Sequence, residues 1–235
     1  MNWHGHDIPD PDWVSPCGQA VLYNADCLDI LPKLPSGCVD AVVTDPPYGI
    51  AHKCNFGERG RGGIALCNDY PDVHGDGEPF DPAPILALEL PSVMFGGNWF
   101  SSKLPDMGGW LVWDKERPDT LDQATCELAW TNCVKGVRRF RHLWNGCMKA
   151  SEVGESYHPT QKPAALMQWC LSLPWTIGFV SVLDPYAGSG PTGVACARLG
   201  RRFLGIEIEK RYFDIAVTRI DQELRQGKLF TETTA

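Results

Sequence analysis

At 235 residues, 43% hydrophobic and 21% charged, the chain can bury one sizeable core, and it is read as a single domain spanning 1–235. A membrane span is excluded because no run of eighteen apolar residues occurs, and a secretion signal because MNWHGHDIPDPDWVSPCG lacks a basic stretch followed by an apolar one. A formal net charge of −8 argues against indiscriminate nucleic-acid binding by the surface as a whole.

In chain order, Trp3 and Trp13 sit in a proline-rich N-terminal arm, expected either to be disordered or to pack against a second subunit. AVLYN (20–24) and VDAVVT (39–44) read as strands, the second running into Asp45, Pro46, Pro47 and Tyr48. Residues 51–84 are rich in Gly, Asp and Arg without periodicity, and so long a loop in a compact domain is either functional or mobile. SVMFGG (92–97) and GWLVWD (109–114) are strands, with a further pair within 124–144. Asn98 and Trp99 follow a strand end, where they line a pocket unless Trp99 is core. A helix runs from Pro163 to Leu173, proline suiting its first turn. FVSVLD (179–184) is a strand. Residues 191–199 form a helix ended by Gly200, and RRFLGIE (201–207) forms the last strand. Residues 209–226 form a helix with Phe213, Val217, Ile220 and Leu224 on one stripe. Strands this continuously apolar are buried on both faces, so the fold class is α/β, a mostly parallel sheet with helices on both sides.

Two compositional details qualify the totals. Cys133–Ser151 holds five Lys or Arg and no acid, a basic strip on an acidic body that is compatible with a polyanion held on one face. The ten cysteines form no C-x-x-C pair and the histidines no metal-ligand spacing, so reduced thiols and no metal are expected.

Gly188, Gly190 and Gly193 spell G-x-G-x-x-G between a strand ending at Asp184 and a helix, and Glu207 closes the next strand. Alone, this is also how a tight strand-to-helix turn looks. In an open α/β sheet, however, ligands sit at the carboxyl ends of strands. There, glycines let a ligand approach the backbone, and a strand-end acid can accept both hydroxyls of a ribose. The implied ligand is a dinucleotide or S-adenosylmethionine. Asp184 favours the second, because a carboxylate beside the loop repels a pyrophosphate and not a cationic methionine.

TDPPYGI (44–50) poses a complementary site. Its bland reading is a proline-stiffened turn with a capping Asp. Yet Asp45 stands at a strand end, on the same ligand-binding edge. The two prolines stiffen the turn, which leaves the Pro46 carbonyl as an acceptor beside the Asp45 carboxylate. Two rigid acceptors suit an –NH2 group, and Tyr48 offers a ring on which a planar base can stack. Adenine or cytosine fits this description.

Together TDPPYGI and DPYAGSGPTG resemble the amino-methyltransferases of DNA, with the catalytic motif preceding the cofactor motif as in their permuted β class. YNADCLDILPKLPSGCVDAVVTDPPYGI, VMFGGNWF, GWLVWDK, CELAWTN and HPTQKP (158–163) extend the resemblance over most of the chain. It implies a Rossmann-like S-adenosylmethionine-dependent fold in circularly permuted order. Asp45, Pro46, Pro47 and Tyr48 would be catalytic. Asp26 would meet the cofactor's adenine and Glu207 its ribose. His158, Thr160, Gln161 and Lys162 would wall its methionine side. Cys27, Asp45, Asp184, Tyr186, Ala187, Gly188, Ser189 and Gly190 would complete the cofactor site.

The implied reaction is methyl transfer to adenine N6 in DNA. Asp before the prolines leans to adenine over the alternative, N4 of cytosine. The target base must be flipped out of a duplex. β-class relatives carry a target-recognition region before HPTQKP, whereas here only about Gly146 to Tyr157 is available, so a very short recognition site or relaxed specificity is expected. Arg59, Arg61, Lys135, Arg138, Arg139 and Arg141 are then expected to hold DNA phosphates, which position without specifying. Each could instead belong to a solvated face. A homodimer is compatible, as is a phage or restriction-modification enzyme acting in a bacterial cytoplasm. The rivals are a nicotinamide-dependent oxidoreductase, which leaves the Asp-Pro-Pro-Tyr turn unexplained, and a catalytically dead DNA-binding module.

Overall fold

The computed structural model describes residues 1–51, 74–107, 109–118, 124–145, 148–153, 157 and 160–231. The chain opens with a hairpin of β1 (Asn2–Trp3) and β2 (His6–Asp7). His4 and Gly5 both take positive φ, 52° and 94°, as a two-residue type I′ turn requires. The hairpin folds back on the core: Trp3 is 1% exposed and its indole N–H donates to the Gly18 carbonyl at 3.3 Å. The arm, expected to be disordered or to pack against a second subunit, is ordered and packs on its own chain. Buried Trp3 and Ile8 anchor it.

Then follow β3 (Trp13–Val14), β4 (Ala20–Tyr23), α1 (Cys27–Ile30), β5 (Ala41–Thr44), α2 (Ala83–Leu86), β6 (Ser92–Phe95), β7 (Gly109–Asp114), β8 (Cys126–Thr131) and β9 (Val137–Arg141). A short hairpin, β10 (Trp144–Asn145) and β11 (Met148–Lys149), leads to α3 (Ala164–Leu171), β12 (Ser181–Asp184), α4 (Pro191–Arg198), β13 (Arg202–Ile206) and α5 (Lys210–Thr231). Each strand and helix expected from the sequence is present within a few residues.

Nine strands form one sheet in the order β3-β4-β13-β12-β5-β6-β8-β7-β9. The four junctions from β4 to β6 are parallel, as is β7 with β9; β3, and β8 against both of its neighbours, run antiparallel. One face buries Phe203, Val182, Leu111 and Trp113 with α3, α4 and α5, and the other buries Leu183, Met94 and Trp130 with α1 and α2. The expected mostly parallel α/β sheet with helices on both faces is thus present.

The topology itself locates a crevice. From β12 the chain crosses to β13 on one side, and from β5 to β6 on the other. Parallel sheets open a ligand site at such a switch point, beyond the carboxyl ends of the strands. Thr44 ends β5 and Asp184 ends β12, neighbours at that edge. The two informative motifs therefore share one edge, catalytic motif first in sequence.

Candidate active site

The Asp-Pro-Pro-Tyr turn is held from outside its own sequence. Proline removes N–H donors at 46 and 47, and the next three N–H groups converge on one acceptor. Tyr48, Gly49 and Ile50 donate to Asp76 Oδ1 at 3.0, 2.9 and 3.4 Å, and Asp76 is 5% exposed. A buried carboxylate accepting several backbone donors fixes a loop firmly. No local pattern announces Asp76, which lies more than 25 residues from the turn it secures.

Tyr48 rests on Gly96, just beyond β6. Gly96 has φ +73°, and a Cβ there would lie 2.1 Å from Tyr48 Cε1. The expected consequence of Gly96→Ala is a displaced Tyr48 ring, a fold weakened by about 1–3 kcal/mol and methyl transfer lowered at least about tenfold. Denaturant titration and a methyl-incorporation assay would check both. Unchanged activity would show that the ring's position is not critical.

Around Asp45 lies a cluster of buried charges. The Tyr48 hydroxyl donates to Asp45 Oδ1 at 2.6 Å. Lys162 donates to Asp45 Oδ2 at 2.6 Å, to Tyr48 Oη at 3.1 Å, and pairs with Glu127 Oε2 at 3.0 Å. Lys115 pairs with the other Glu127 oxygen. The Lys162 side chain is 3% exposed, against 17% for Asp45 and 22% for Glu127. Burial pulls the Lys162 ammonium down, but the carboxylates of Asp45 and Glu127 more than reverse this and its pKa is raised. Burial pushes Glu127 up, and Lys162 and Lys115 overcome it, holding the carboxyl at about 2. For Asp45 burial wins over Lys162, so its pKa is raised. Tyr48, buried between two carboxylates, is raised well above the usual phenol value and stays protonated.

Lys162, expected on the cofactor's methionine side, reaches Asp45 with its ammonium. Glu127 and Lys115 escaped notice because β7 and β8 read only as sheet. Their signal was faint: Glu127 inside CELAWT, and Lys115 directly after the Asp114 that ends GWLVWD.

The second half of the site is the glycine turn. Gly188 takes φ +52°, and a Cβ there would meet nothing within 4 Å, so the turn faces open space. Gly193, by contrast, is a packing glycine: its Cβ would lie 2.3 Å from Ile220 Cδ1 of α5. Glu207 accepts from the Gly188 N–H at 2.7 Å through Oε2 and from the Glu209 N–H at 2.8 Å through Oε1. Burial raises its carboxyl to about 7 despite those donors. Asp184, 2% exposed, accepts from Thr44 Oγ1 at 2.6 Å and from the Tyr186 N–H at 3.1 Å, tying the ends of β5 and β12 together. Burial raises it to about 6. Asp26 caps α1, accepting from the Leu28 N–H at 2.9 Å, and the Cys27 thiol beside it is buried. Ala187 and Ser189 are buried in the turn, and Ser189 accepts from Arg219 of α5 at 2.7 Å through its carbonyl. Arg219 also pairs with Glu152. Glu152 in turn accepts from the Ala164 N–H at the start of α3 and from Gln161. Gln161 is buried and Thr160 half-buried beside it.

A cleft of about 390 Å³ opens next to this cluster, lined by Tyr48, Asn98, Trp99, Glu127 and the neighbouring β8 backbone. Trp99 is 58% exposed, a rim residue and not core. The basic strip forms β9, an edge strand. Arg138 stacks on Trp175, 4.9 Å from the ring centroid, and Arg141 pairs with Asp114 and Glu116 at 3.5 and 3.2 Å. Lys135 and Arg139 are exposed. Arg59, Arg61 and His158 lie outside the described residues.

A family model described as DNA methylase matches residues 110–218. Type II methyltransferase M2.DpnII of Streptococcus pneumoniae is 41% identical over 247 residues, 86% of this chain and 90% of that protein. Type II methyltransferase M2.LlaDCHI of Lactococcus lactis subsp. cremoris is 27% identical over 252 residues, 88% and 91% of the two chains. Among solved structures, the cytosine-N4-specific PvuII DNA methyltransferase matches with a TM-score of 0.58 at 12% identity, covering 92% of this chain and 93% of its own.

Proposed function

Since the chain belongs to the N6-adenine/N4-cytosine DNA methylase family, we propose that it transfers a methyl group from S-adenosylmethionine to N6 of adenine in DNA. The observation that carries this reading is Asp45. A partly exposed carboxylate at the end of β5 stands beside an aromatic-lined cleft, one strand from a glycine turn with open space above it.

The residues at the turn fit the cofactor. Glu207 is oriented by two backbone donors and keeps lone pairs for ribose hydroxyls. Asp26, Cys27 and Tyr186 gather at one end of the site, where an adenine would sit, and the Gly188 backbone leaves room for close approach. Thr160 and Gln161 belong to the wall of the same site, and Lys162 reaches through that wall to Asp45. Asp184 serves it by fixing the strand ends. Bound there, S-adenosylmethionine supplies an activated methyl on its sulfonium, so no covalent enzyme intermediate is needed.

The protein's part is positioning and electrostatics. Asp45 and the Pro46 carbonyl accept from the target amine and bias its nitrogen towards a usable lone pair. Asp45 then takes the proton released as the nitrogen gains the methyl. Tyr48 walls the base site, with Trp99 at its rim. A duplex base reaches this cleft only when flipped out. Lys135, Arg138, Arg139 and the partly neutralised Arg141 form the phosphate-facing strip, and Arg59 and Arg61 are assigned the same phosphate-binding role. Specificity is short or relaxed, and the setting is a bacterial cytoplasm. A homodimer is compatible with this reading. Among the described residues no helix is long and apolar enough to cross a membrane.

Incubation with labelled S-adenosylmethionine and DNA, followed by mass spectrometry of the hydrolysed bases, tests the proposal. N6-methyladenine is expected; N4-methylcytosine would replace the assigned base, and no methylated base would remove the activity.

Cofactor affinity should depend on pH through Glu207. Its carboxyl, at about 7 in the free protein, must be ionised to accept two hydroxyls. Binding therefore lowers its pKa and releases protons. Affinity should rise as pH increases towards 7 and flatten above it, and calorimetry near pH 7 in buffers of different ionisation enthalpy should register proton release. Glu207→Gln should remove the pH dependence along with much of the affinity. A flat profile in the unaltered protein would contradict the role given to Glu207.

A further inference from the structure

Both oxygens of Asp45 are already engaged: Oδ2 by Lys162 at 2.6 Å and Oδ1 by the Tyr48 hydroxyl at 2.6 Å. Each keeps a second lone pair, but an oxygen freed of its present donor is the stronger acceptor for a target amine. Lys162 is the poor candidate to yield, because its ammonium is almost fully buried and is shared with Glu127. The Tyr48 hydroxyl is the better one. It has a single proton to donate and two carboxylates within reach, Asp45 at 2.6 Å and Glu127 Oε2 at 3.4 Å. Its own oxygen meanwhile accepts from Lys162 at 3.1 Å, an anchor that persists whichever way the proton points. Glu127 is on the cleft wall beside Tyr48, with Lys115 and Lys162 keeping it ionised.

We propose that Glu127 is a positioning residue that takes over the Tyr48 hydroxyl when the target base enters, so that Asp45 Oδ1 is released to accept the amine. This rests on the methyltransferase reading and deepens it. The exchange breaks one O–H···O bond and makes another, with no net proton transfer. Rotation about the Tyr48 C–O bond and a slight approach of Glu127 accomplish it. The charge-assisted bond given up at Asp45 is replaced by one of the same kind at Glu127. In the base-free protein the hydroxyl caps the second oxygen of Asp45, a partly exposed carboxylate. The same cluster therefore serves the resting state and the loaded one.

The test is a double-mutant cycle between Glu127→Gln and Tyr48→Phe, read as the single-turnover methylation rate at saturating DNA and S-adenosylmethionine. Glutamine keeps the shape at 127 but is a weaker, uncharged acceptor already claimed by two lysines. In the Tyr48 background it should slow the step by about tenfold or more. Cofactor affinity, measured by calorimetry, should stay within about twofold. Without the hydroxyl there is nothing to hand over, so in the Tyr48→Phe background the same change should cost no more than about twofold. Should Glu127→Gln fail to fold, Glu127→Asp carries the same cycle, since it keeps the charge for both lysines while withdrawing the acceptor from the hydroxyl. Equal losses in both backgrounds would overturn the handover and leave Glu127 as a counter-ion for Lys162 alone. Failure of the unaltered protein to methylate any DNA base would overturn the methyltransferase reading and the handover together, so the two failures are distinct.

Discussion

Asp45→Ala should remove methyl transfer, by at least about a hundredfold, while leaving the protein folded and able to bind its cofactor. The rate loss follows from deleting a preorganised acceptor aimed at the reacting nitrogen, an effect of about 10²–10³ in comparable sites. The retained fold follows from the sharing of Lys162. Truncating one member of a buried ion pair ordinarily strands its partner, at a cost of about 3–5 kcal/mol. Here the stranded ammonium still has Glu127 Oε2 at 3.0 Å, and the Tyr48 hydroxyl has the same acceptor at 3.4 Å. The penalty should stay near the cost of a lost charged hydrogen bond, about 1–3 kcal/mol. Cofactor binding should survive because the glycine turn is secured by Thr44, Asp184 and Glu207, none of which relies on Asp45. Methyl incorporation, calorimetry with S-adenosylmethionine and chemical denaturation together check the claim. Activity within tenfold of the unaltered enzyme would take the catalytic role from Asp45, and loss of cofactor binding would mean that the two halves of the site are coupled.

What could be read from the sequence, and what could not, divides along the range of the interactions. The apolar runs from Val21 to Ile206 announced the strands because burial on both faces leaves little room for polar residues. Gly188 and the proline pair announced the turns because backbone geometry there restricts residue type. The meeting of Asp45 with the glycine turn was legible as well, since both stand at strand ends of a parallel sheet. The N-terminal hairpin was missed because its turn, His4-Gly5, is an unusual I′ pair and its strands are two residues long. The charge cluster was missed for a different reason. Glu127, Lys115 and Lys162 come from β8, the residue after β7 and the segment before α3, and only the sheet order brings them to Asp45. A buried ionic cluster has no sequence period. It shows only as single charges where a strand should be apolar.

Lys162→Met should be the most damaging single change in the cluster. Methionine matches the length and bulk of the lysine stem but removes the ammonium that lies 5.3 Å from the Tyr48 ring centroid and 5.7 Å from that of Phe95. It cannot neutralise Asp45 and Glu127, which would then face each other with Lys115 as the remaining cation at Glu127. The expected loss of stability is about 3–5 kcal/mol at neutral pH, the range for leaving a buried charge without its partner. Its sign with pH is specific. In the unaltered protein Glu127 is held at about 2, so the stability it contributes is present above its ordinary value of 4.5 and lost as pH falls towards 2. In the variant both carboxyls lose their shared cation and the folded-state pKa of each rises. A raised carboxyl favours the fold below its unfolded value and loses that advantage as pH climbs through the folded one. The stability gap between the two proteins should therefore already be open near pH 5, widen further towards pH 8 and close only as pH falls below 4.5 towards 2, and urea titrations at pH 3, 5 and 8 measure it directly. Methyl transfer should fall with the same variant as well, because Asp45 loses the cation that favours its ionised, amine-accepting form. A gap independent of pH would mean that Lys162 supports the fold through packing alone, and that Asp45 keeps its charge without it.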